Sequence, residues 1–293
     1  PYTLERFDRW FHARGTSNAE APRGEVALWD DCFVRYNDPH IGQAAVRVLE
    51  AAGFRVTLPK NAACCGRPAF SMGRLDVAKR FGERNAAALG GANVPIVFLE
   101  PSCYSMFRQD YTELRVPGAE ALAQRAFLFE DFVEALLERE PDALKFKEDA
   151  AAITAIHAHC HSKALTDTVA QTNLLKRIPG NTVTMLDTGC CGMAGAFGFE
   201  EEHYDVSVRC GERVLFPAIR DAAKDTVIVA DGFSCREQIS GSTDRHALHL
   251  AQVLQTALRG GSQPSAEPPL RRLSGWLIAL AIEYSGPAMR FRT

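Results

Sequence analysis

"DTGCCGMAGAFG", residues 187–198, sets two cysteines side by side ahead of a glycine, and the same trio stands earlier in "NAACCGRPAF", residues 61–70. Vicinal cysteines pack awkwardly and are poorly placed to bridge each other. A trio used twice in one chain is first a question about repeats. Outward from the two trios, residues 25–115 and 151–240 follow one order. Each copy opens on an apolar run that leads to a cysteine: "VALW" (26–29) and then Cys32, "ITAIHAHC" (153–160) ending on Cys160. A helical pattern follows in both. "HIGQAAVRVLEAAG" (40–53) ends on Gly53 as a C-cap, and "SKALTDTVAQTNLLKRIPG" (162–180) opens on a Ser162 cap and stops at Pro-Gly. The β-rich runs "FRVTLP" (54–59) and "NTVTMLD" (181–187) then lead into the trios. Long helices near 73–90 and 200–223 come next, and a third apolar strand closes each copy on Ser-Cys: "PIVFLE" (95–100) before Cys103, "TVIVAD" (226–231) before Cys235.

Strand, helix, strand, helix, strand is an α/β order. The fold class expected is two tandem pseudo-symmetric three-layer α/β units with mostly parallel sheets. Right-handed crossovers put the strand ends on one edge, where ligands bind in such sheets. Every motif cysteine follows a strand, so four thiols per copy should meet at that edge. The boundaries expected are an N-terminal helix and linker over 1–24, a first repeat over 25–119, a connecting helix over 120–150, a second repeat over 151–259, and a linker and tail over 260–293. Within 120–150, "EALAQRAFLFEDFVEALLERE" (120–140) reads as one amphipathic helix stopped by Pro141.

The 293 residues are 46% hydrophobic and 24% charged, with a net charge of −3, which is globular composition and disfavours a nucleic-acid partner. The chain starts on Pro1 and reads as processed, or as the downstream part of a longer protein. No secretory leader opens it, and nine cysteines then fit a reducing, cytoplasmic compartment. The C-terminal run "GWLIALAI" (275–282) is too short to span a bilayer. Arg271, Arg272, Arg290 and Arg292 surround it beside Trp276, a pattern that suits either a peripheral position on the inner face of a membrane or packing on the body or a partner.

Cys32, Cys64, Cys65 and Cys103 belong to the first copy and Cys160, Cys190, Cys191 and Cys235 to the second. Cys210 is left over, inside a helix, and reads as a buried small hydrophobe. The spacings, 32 then 38 residues against 30 then 44, are unlike the short knuckles of zinc fingers. Soft thiolates select zinc, copper(I) or iron–sulfur clusters, and four per site suit a four-iron cluster with one external ligand per iron. The glycine lets the backbone turn sharply and approach the sulfurs. Zinc in one site stays open as an alternative. His157, His159 and His161 flank Cys160; on a strand they would share one face with Cys160 on the other. His159 is the candidate extra ligand, against a reading of all three as partly exposed polar residues. His246 and His249 read as helix-face residues, and "FEEEH" (199–203) as a helix N-terminus. No serine–histidine–carboxylate order, Walker loop or full dinucleotide fingerprint occurs, so no catalytic acid, base or flavin site is assigned within the chain.

The doubled C…CCG…C pattern resembles the CCG, or cysteine-rich, domain of iron–sulfur oxidoreductases over residues 25–257. Relatives of that kind include a heterodisulfide reductase subunit and the iron–sulfur subunits of glycolate, lactate and glycerol-3-phosphate oxidation systems. "DTGCCGMAGAFG" and "ADGFSCREQI" are most similar to the C-terminal part of FAD-linked oxidases of D-2-hydroxy acids. There a flavin domain, a ferredoxin-like iron–sulfur segment and a CCG pair share one chain. The resemblance implies one or two iron–sulfur clusters of 4Fe-4S type on the eight paired cysteines, FAD on a separate or missing domain, and electron relay towards a quinone or soluble carrier. The fullest CCG motif ends in Cys-x-x-Cys. Here Tyr104, Ser105 and Met106 follow Cys103, and Arg236, Glu237 and Gln238 follow Cys235, so the fifth cysteine is absent from both copies. Four ligands per copy remain, which weakens any likeness to the non-cubane clusters of heterodisulfide reductase. The other readings are a zinc-binding assembly module that docks a flavoprotein, and a thiol/disulfide redox site.

Overall fold

The structure is a computed structural model and describes residues 2–15, 21–91, 93–150 and 152–260. The linker at 16–20 and the tail with its arginines and Trp276 lie outside the described residues. Two four-stranded sheets form the frame. The first comprises β1 (Glu25–Trp29), β2 (Arg55–Thr57), β3 (Ile96–Phe98) and β4 (Ala126–Leu128), in the order β2-β1-β3-β4. The second comprises β5 (Ile153–Ile156), β6 (Thr182–Met185), β7 (Val227–Val229) and β8 (Ala247–Leu248), in the order β6-β5-β7-β8. Every pairing is parallel, with Ala27 opposite Ile96 and Thr154 opposite Val227 at the centres. The expected tandem α/β units are present.

Alternation along the central strands decides the layers. Val26, Leu28, Val97 and Leu99 face a core that also takes Ile156 and Val229 of the second sheet. Helices Pro39–Ala51, Phe129–Arg139, Val169–Lys176 and Leu250–Ala257 fill that shared core between the sheets. Ile96 and Phe98 face the other way, onto Met106, Phe107 and Tyr111. Ala155, Ile228 and Ala230 do the same against Leu215, Phe216 and Ile219. Each sheet is thus covered on both faces, and the inner layer is common to both.

In each sheet the chain leaves the first strand for one side and returns to the other. The reversal falls between β1 and β3, and between β5 and β7, and opens a crevice at their carboxyl ends.

Several local expectations need correction. The stretch 120–140 is not one helix. Helix Ala119–Arg125 gives way to β4, and a second helix runs Phe129–Arg139. Residues around His249 are not one helix either: β8 precedes helix Leu250–Ala257, so each sheet has four strands, not three. The helix expected near 200–223 is broken into Tyr204–Glu212 and Leu215–Asp221, and the acidic run precedes it, with Glu200 bound to His203 at 2.6 Å. Ser162 caps nothing; it is fully buried in the helix Cys160–Leu165. No helix among the described residues is long and apolar enough to cross a membrane.

Candidate metal centre

Each crevice collects the four cysteines of its copy. In the first, Asp31 ends the run after β1 and caps the helix Cys32–Tyr36, its Oδ1 accepting from the N–H groups of Phe33 (2.8 Å) and Val34 (3.0 Å). That cap fixes Cys32 at the helix start. After β3, Glu100 caps the helix Pro101–Ser105, accepting from the Ser102 N–H at 3.1 Å and the Ser102 hydroxyl at 2.6 Å, which fixes Cys103. Between them the trio turns at Gly66, with φ of +90°, and the Gly66 N–H donates to Cys64 Sγ at 3.5 Å. Asn85 straps this loop by accepting from the Ala63 N–H (2.8 Å) and donating to the Cys64 carbonyl (3.0 Å). The Tyr111 hydroxyl donates to the Cys65 carbonyl at 2.7 Å. Arg67 completes the wall, donating to Ser105 Oγ at 2.6 Å and pairing with Asp110.

The second crevice repeats the plan with different side chains. His159 caps the helix Cys160–Leu165, its Nδ1 accepting from the His161 N–H at 3.1 Å. Gly192 turns at φ of +99° and donates to Cys190 Sγ at 3.3 Å. Gln238 straps the loop by donating to the Cys191 carbonyl (3.2 Å) and Ser207 Oγ (2.9 Å).

The thiols run in contact through each site. Cys65 and Cys103 sulfurs are 3.0 Å apart, and Cys191 and Cys235 sulfurs 3.5 Å apart. Cys64 is hydrogen-bonded to Cys32 and Cys65, and Cys190 to Cys160 and Cys191, all as free thiols. Hydrogen bonds from Cys32, Cys65 and the Gly66 N–H hold the Cys64 thiol down to about 3, against burial. The corresponding bonds from Cys160, Cys191 and Gly192 hold Cys190 down to about 2. Cys235 is held well below the ordinary thiol value by its bond with Cys191 and by His159 and His157. Cys103 goes the other way: its bond with Cys65 favours the thiolate, but burial and the Asp31 and Glu100 carboxylates push it up to about 11. The same shared bonds push Cys32, Cys65, Cys160 and Cys191 up, so within each site the thiolate, the form that binds metal, is favoured at Cys64 and at Cys190.

The donor set fits a soft metal centre. Four thiolates held 2.3 Å from one tetrahedral ion stand about 3.8 Å apart. The observed contacts are shorter, so any occupant parts the thiols. The four cysteines of those two contacts are buried, whereas Cys32, Cys160 and Cys190 are exposed.

The two centres adjoin. Phe33 and Phe233 stack at 4.1 Å with planes 6° apart, each close in sequence to a cysteine of its own site. The Phe233 N–H donates to Glu100 Oε2 at 2.8 Å, and Arg236 pairs with Asp38 at 2.9 Å.

The histidines depart from the sequence reading. β5 ends at Ile156, so strand alternation does not govern them. His157 and His159 are buried, not partly exposed. A ring nitrogen of His157 lies within 4.8 Å of the Cys191 and Cys235 sulfurs, and His159, Cys160 and His161 form a second such group. His249 is buried, caps helix Leu250–Ala257 in a reciprocal box with Gln252, and reaches the Leu99 carbonyl at 3.0 Å. Cys210 is half-buried, outside both thiol groups. The sequence reading missed Asp31 and Glu100, for which an acidic residue just after each strand is a cap signal. It also missed the roles of Asn85, Tyr111 and Gln238, whose contacts with the trios span 21 to 47 residues and leave no local signal.

A family model for the CCG cysteine-rich domain matches residues 26–108 and again 148–240. The chain belongs to the CCG cysteine-rich domain family. Its two CCG copies account for the pseudo-symmetry of the sheets. The chain is 30% identical over 261 residues to a subunit of the anaerobic glycerol-3-phosphate dehydrogenase of Escherichia coli K12, covering 88% of this chain and 65% of that protein. It is 31% identical over 242 residues to D-2-hydroxyglutarate dehydrogenase of Pseudomonas putida, covering 80% of this chain and 22% of the relative. It is 30% identical over 232 residues to an uncharacterized iron–sulfur protein of Methanocaldococcus jannaschii, covering 78% of this chain and 43% of the relative. The CCG chain thus spans less than two thirds of each of these relatives.

Proposed function

We propose that the chain is the iron–sulfur electron-transfer part of a flavin-linked 2-hydroxy-acid dehydrogenase. The observation that carries this reading is the pair of matched four-thiol sets at the two sheet switch points. Cys32, Cys64, Cys65 and Cys103 would hold one centre and Cys160, Cys190, Cys191 and Cys235 the other. A bound iron–sulfur cluster supplies one-electron chemistry that no side chain has. The chain's own residues hold the thiolates, offer the Gly66 and Gly192 N–H groups to sulfur, and bury the inner thiols from water. Substrate oxidation belongs to a flavin domain or subunit. A ferredoxin-like iron–sulfur segment is a further partner, and a quinone or soluble carrier the acceptor. The names of the relatives support a dehydrogenase assembly, and glycerol-3-phosphate and D-2-hydroxyglutarate are both small anionic alcohols. The reading places the chain in the cytoplasm, at the inner membrane face where the acceptor is a quinone.

One observation favours a second reading for one site. The 3.5 Å between Cys191 and Cys235 is near the edge of a single-ion thiolate tetrahedron, which suits zinc. Metal and acid-labile sulfide analysis of anaerobically purified chain, with visible and electron paramagnetic resonance spectra, separates the two. About four irons and four sulfides per filled site are expected. Cys64→Ser should remove one signal and Cys190→Ser the other. Zinc without iron overturns the relay, and two unchanged signals overturn the ligand assignment.

A further inference from the structure

The two sites share a scaffold but not their neighbours. Counting back from the first cysteine of each, Asp31 stands where His159 does, and Trp29 where His157 does. Asp31 and His159 perform the same capping job with opposite chemistry, a carboxylate against an imidazole. Asp31 and Glu100 are the carboxyl groups beside Cys103, whereas His159 and His157 are the imidazoles beside Cys235. Glu100 lies between the sites, its Oε2 accepting from the Phe233 N–H and its carboxylate facing His159, so Asp31 is the carboxyl group confined to the first site.

His157 is 1% exposed. Its Nδ1 lies 2.6 Å from Thr188 Oγ1. Thr188 is buried too, and its hydroxyl has no other acceptor among the bonds of the described residues. The arrangement that satisfies both groups has the Thr188 O–H donating to Nδ1, which leaves the proton on Nε2. A metal-ligating histidine instead turns its second N–H to a carboxylate or carbonyl. Nε2 is buried without a hydrogen-bond partner, and a ring nitrogen of His157 lies within 4.8 Å of the Cys191 and Cys235 sulfurs; with Nδ1 taken by Thr188, Nε2 is the one free to donate to them. The Trp29 indole at the matching place of the first site is packed among Phe98 and Phe107, and its Nε1–H is also buried without a partner, so the two sites differ in the ring nitrogen that His157 brings within 4.8 Å of sulfur.

We propose that His157 donates its Nε2–H to the Cys191 and Cys235 thiolates and sets the second site at a higher reduction potential than the first, so that electrons enter at the first site and leave from the second. This rests on the iron–sulfur reading above. Reduction adds one electron to a centre already made anionic by thiolates. An N–H aimed at sulfur stabilises that added charge and raises the potential, while a nearby carboxylate opposes it. With clusters held by the two cysteine sets, each passage would move one electron, oxidising the first site and reducing the second. The flavin partner is the reductant and the quinone or soluble carrier the final oxidant. His157 is a positioning residue for charge, with Thr188 holding its tautomer.

The test uses the full chain reconstituted anaerobically with iron and sulfide, poised over a range of potentials and read by electron paramagnetic resonance. Cys64→Ser and Cys190→Ser assign the two signals. The second-site signal should be reduced at the higher potential. His157→Leu should lower its midpoint by at least a tenfold change in the oxidised-to-reduced ratio, about 59 mV for a one-electron centre. His157→Gln, which keeps an N–H, should recover part of the shift, and the first-site midpoint should not move. Equal or reversed midpoints, or an unmoved second midpoint in His157→Leu, overturn the proposal. Loss of the second cluster in His157→Leu with first-site iron retained makes His157 a ligand and also overturns it. Nitrogen-15 NMR of histidine-labelled, metal-free wild-type chain supplies an independent readout: an Nε2-protonated His157 is expected, and an Nδ1-protonated ring refutes the donor. Absence of iron from both sites removes the function reading and the potential order with it, while the tautomer is still decided by NMR.

Discussion

Gly192 is glycine for a steric reason before a chemical one. Its φ of +99° is open to glycine and strained for other residues. A Cβ there would stand 2.0 Å from the Ser207 carbonyl oxygen, which is helix backbone and cannot rotate away. Gly66 has the same turn, at φ of +90°, but its Cβ would meet Ala78 only at 3.3 Å. The two glycines of the repeated trio should therefore respond unequally. Gly66→Ala should cost about 1–2 kcal/mol from backbone strain alone. Gly192→Ala should cost about 3 kcal/mol or more, because helix Tyr204–Glu212 must shift as well. Urea unfolding with metal content measured in parallel checks this, and the second site should lose its metal first. Equal costs for the two variants would mean that the helix yields freely.

At the scale of elements, caps position the site more than strands do. His249 accepts from the Ala251 N–H at 3.0 Å, donates its own backbone N–H to Gln252 Oε1 at 2.8 Å, and ties helix Leu250–Ala257 to the Leu99 carbonyl of the other half. His249→Ala removes a cap and leaves that carbonyl without its partner, so a loss of about 2 kcal/mol is expected by thermal or urea unfolding. His249→Asn should recover the cap but not the reach to Leu99. This residue also marks where the sequence stopped being legible. β1, β3, β5 and β7 announce themselves as apolar runs between polar breaks. β4 does not: "AFL" lies between two helices with no glycine or proline at either end, and only its pairing with β3 makes it a strand. β8 is two residues long and carries no pattern of its own. All eight paired cysteines were legible because repetition singles them out. His157 was not separable from His159 and His161, since the distinction depends on where β5 ends. Asn85 and Gln238 reach the Cys64 and Cys191 carbonyls across 21 and 47 residues of sequence, and although Gln238 stands at the place of the absent fifth cysteine, nothing local records either contact.

At the scale of the molecule, the shared inner layer joins the halves through buried polar groups as well as apolar ones. Gln171 of the second half donates to Asp231 Oδ2 at 2.6 Å and to Glu130 Oε1 of the first half at 3.2 Å. Asp231 is already committed, accepting from the Leu250 N–H at 2.8 Å and lying 3.5 Å from His249. Burial, then the charges of Asp231 and Asp131, push the Glu130 carboxyl well above its ordinary range. The sign follows from linkage. Glu130 in the unfolded chain ionises near 4.3, while in the fold it keeps its proton to higher pH. Its contribution to stability is complete below the unfolded value and is lost as pH rises through the raised folded value. Between those limits the loss approaches about 1.4 kcal/mol per pH unit. Glu130→Gln cannot ionise and should escape the loss. The difference in unfolding free energy between Glu130→Gln and wild type should grow steadily from pH 5 upward, the variant becoming the more stable. Urea denaturation across that range reads the slope directly. A constant difference would show that Glu130 ionises normally within the fold, and that Gln171 alone accommodates two adjacent carboxylates at the joint between the halves.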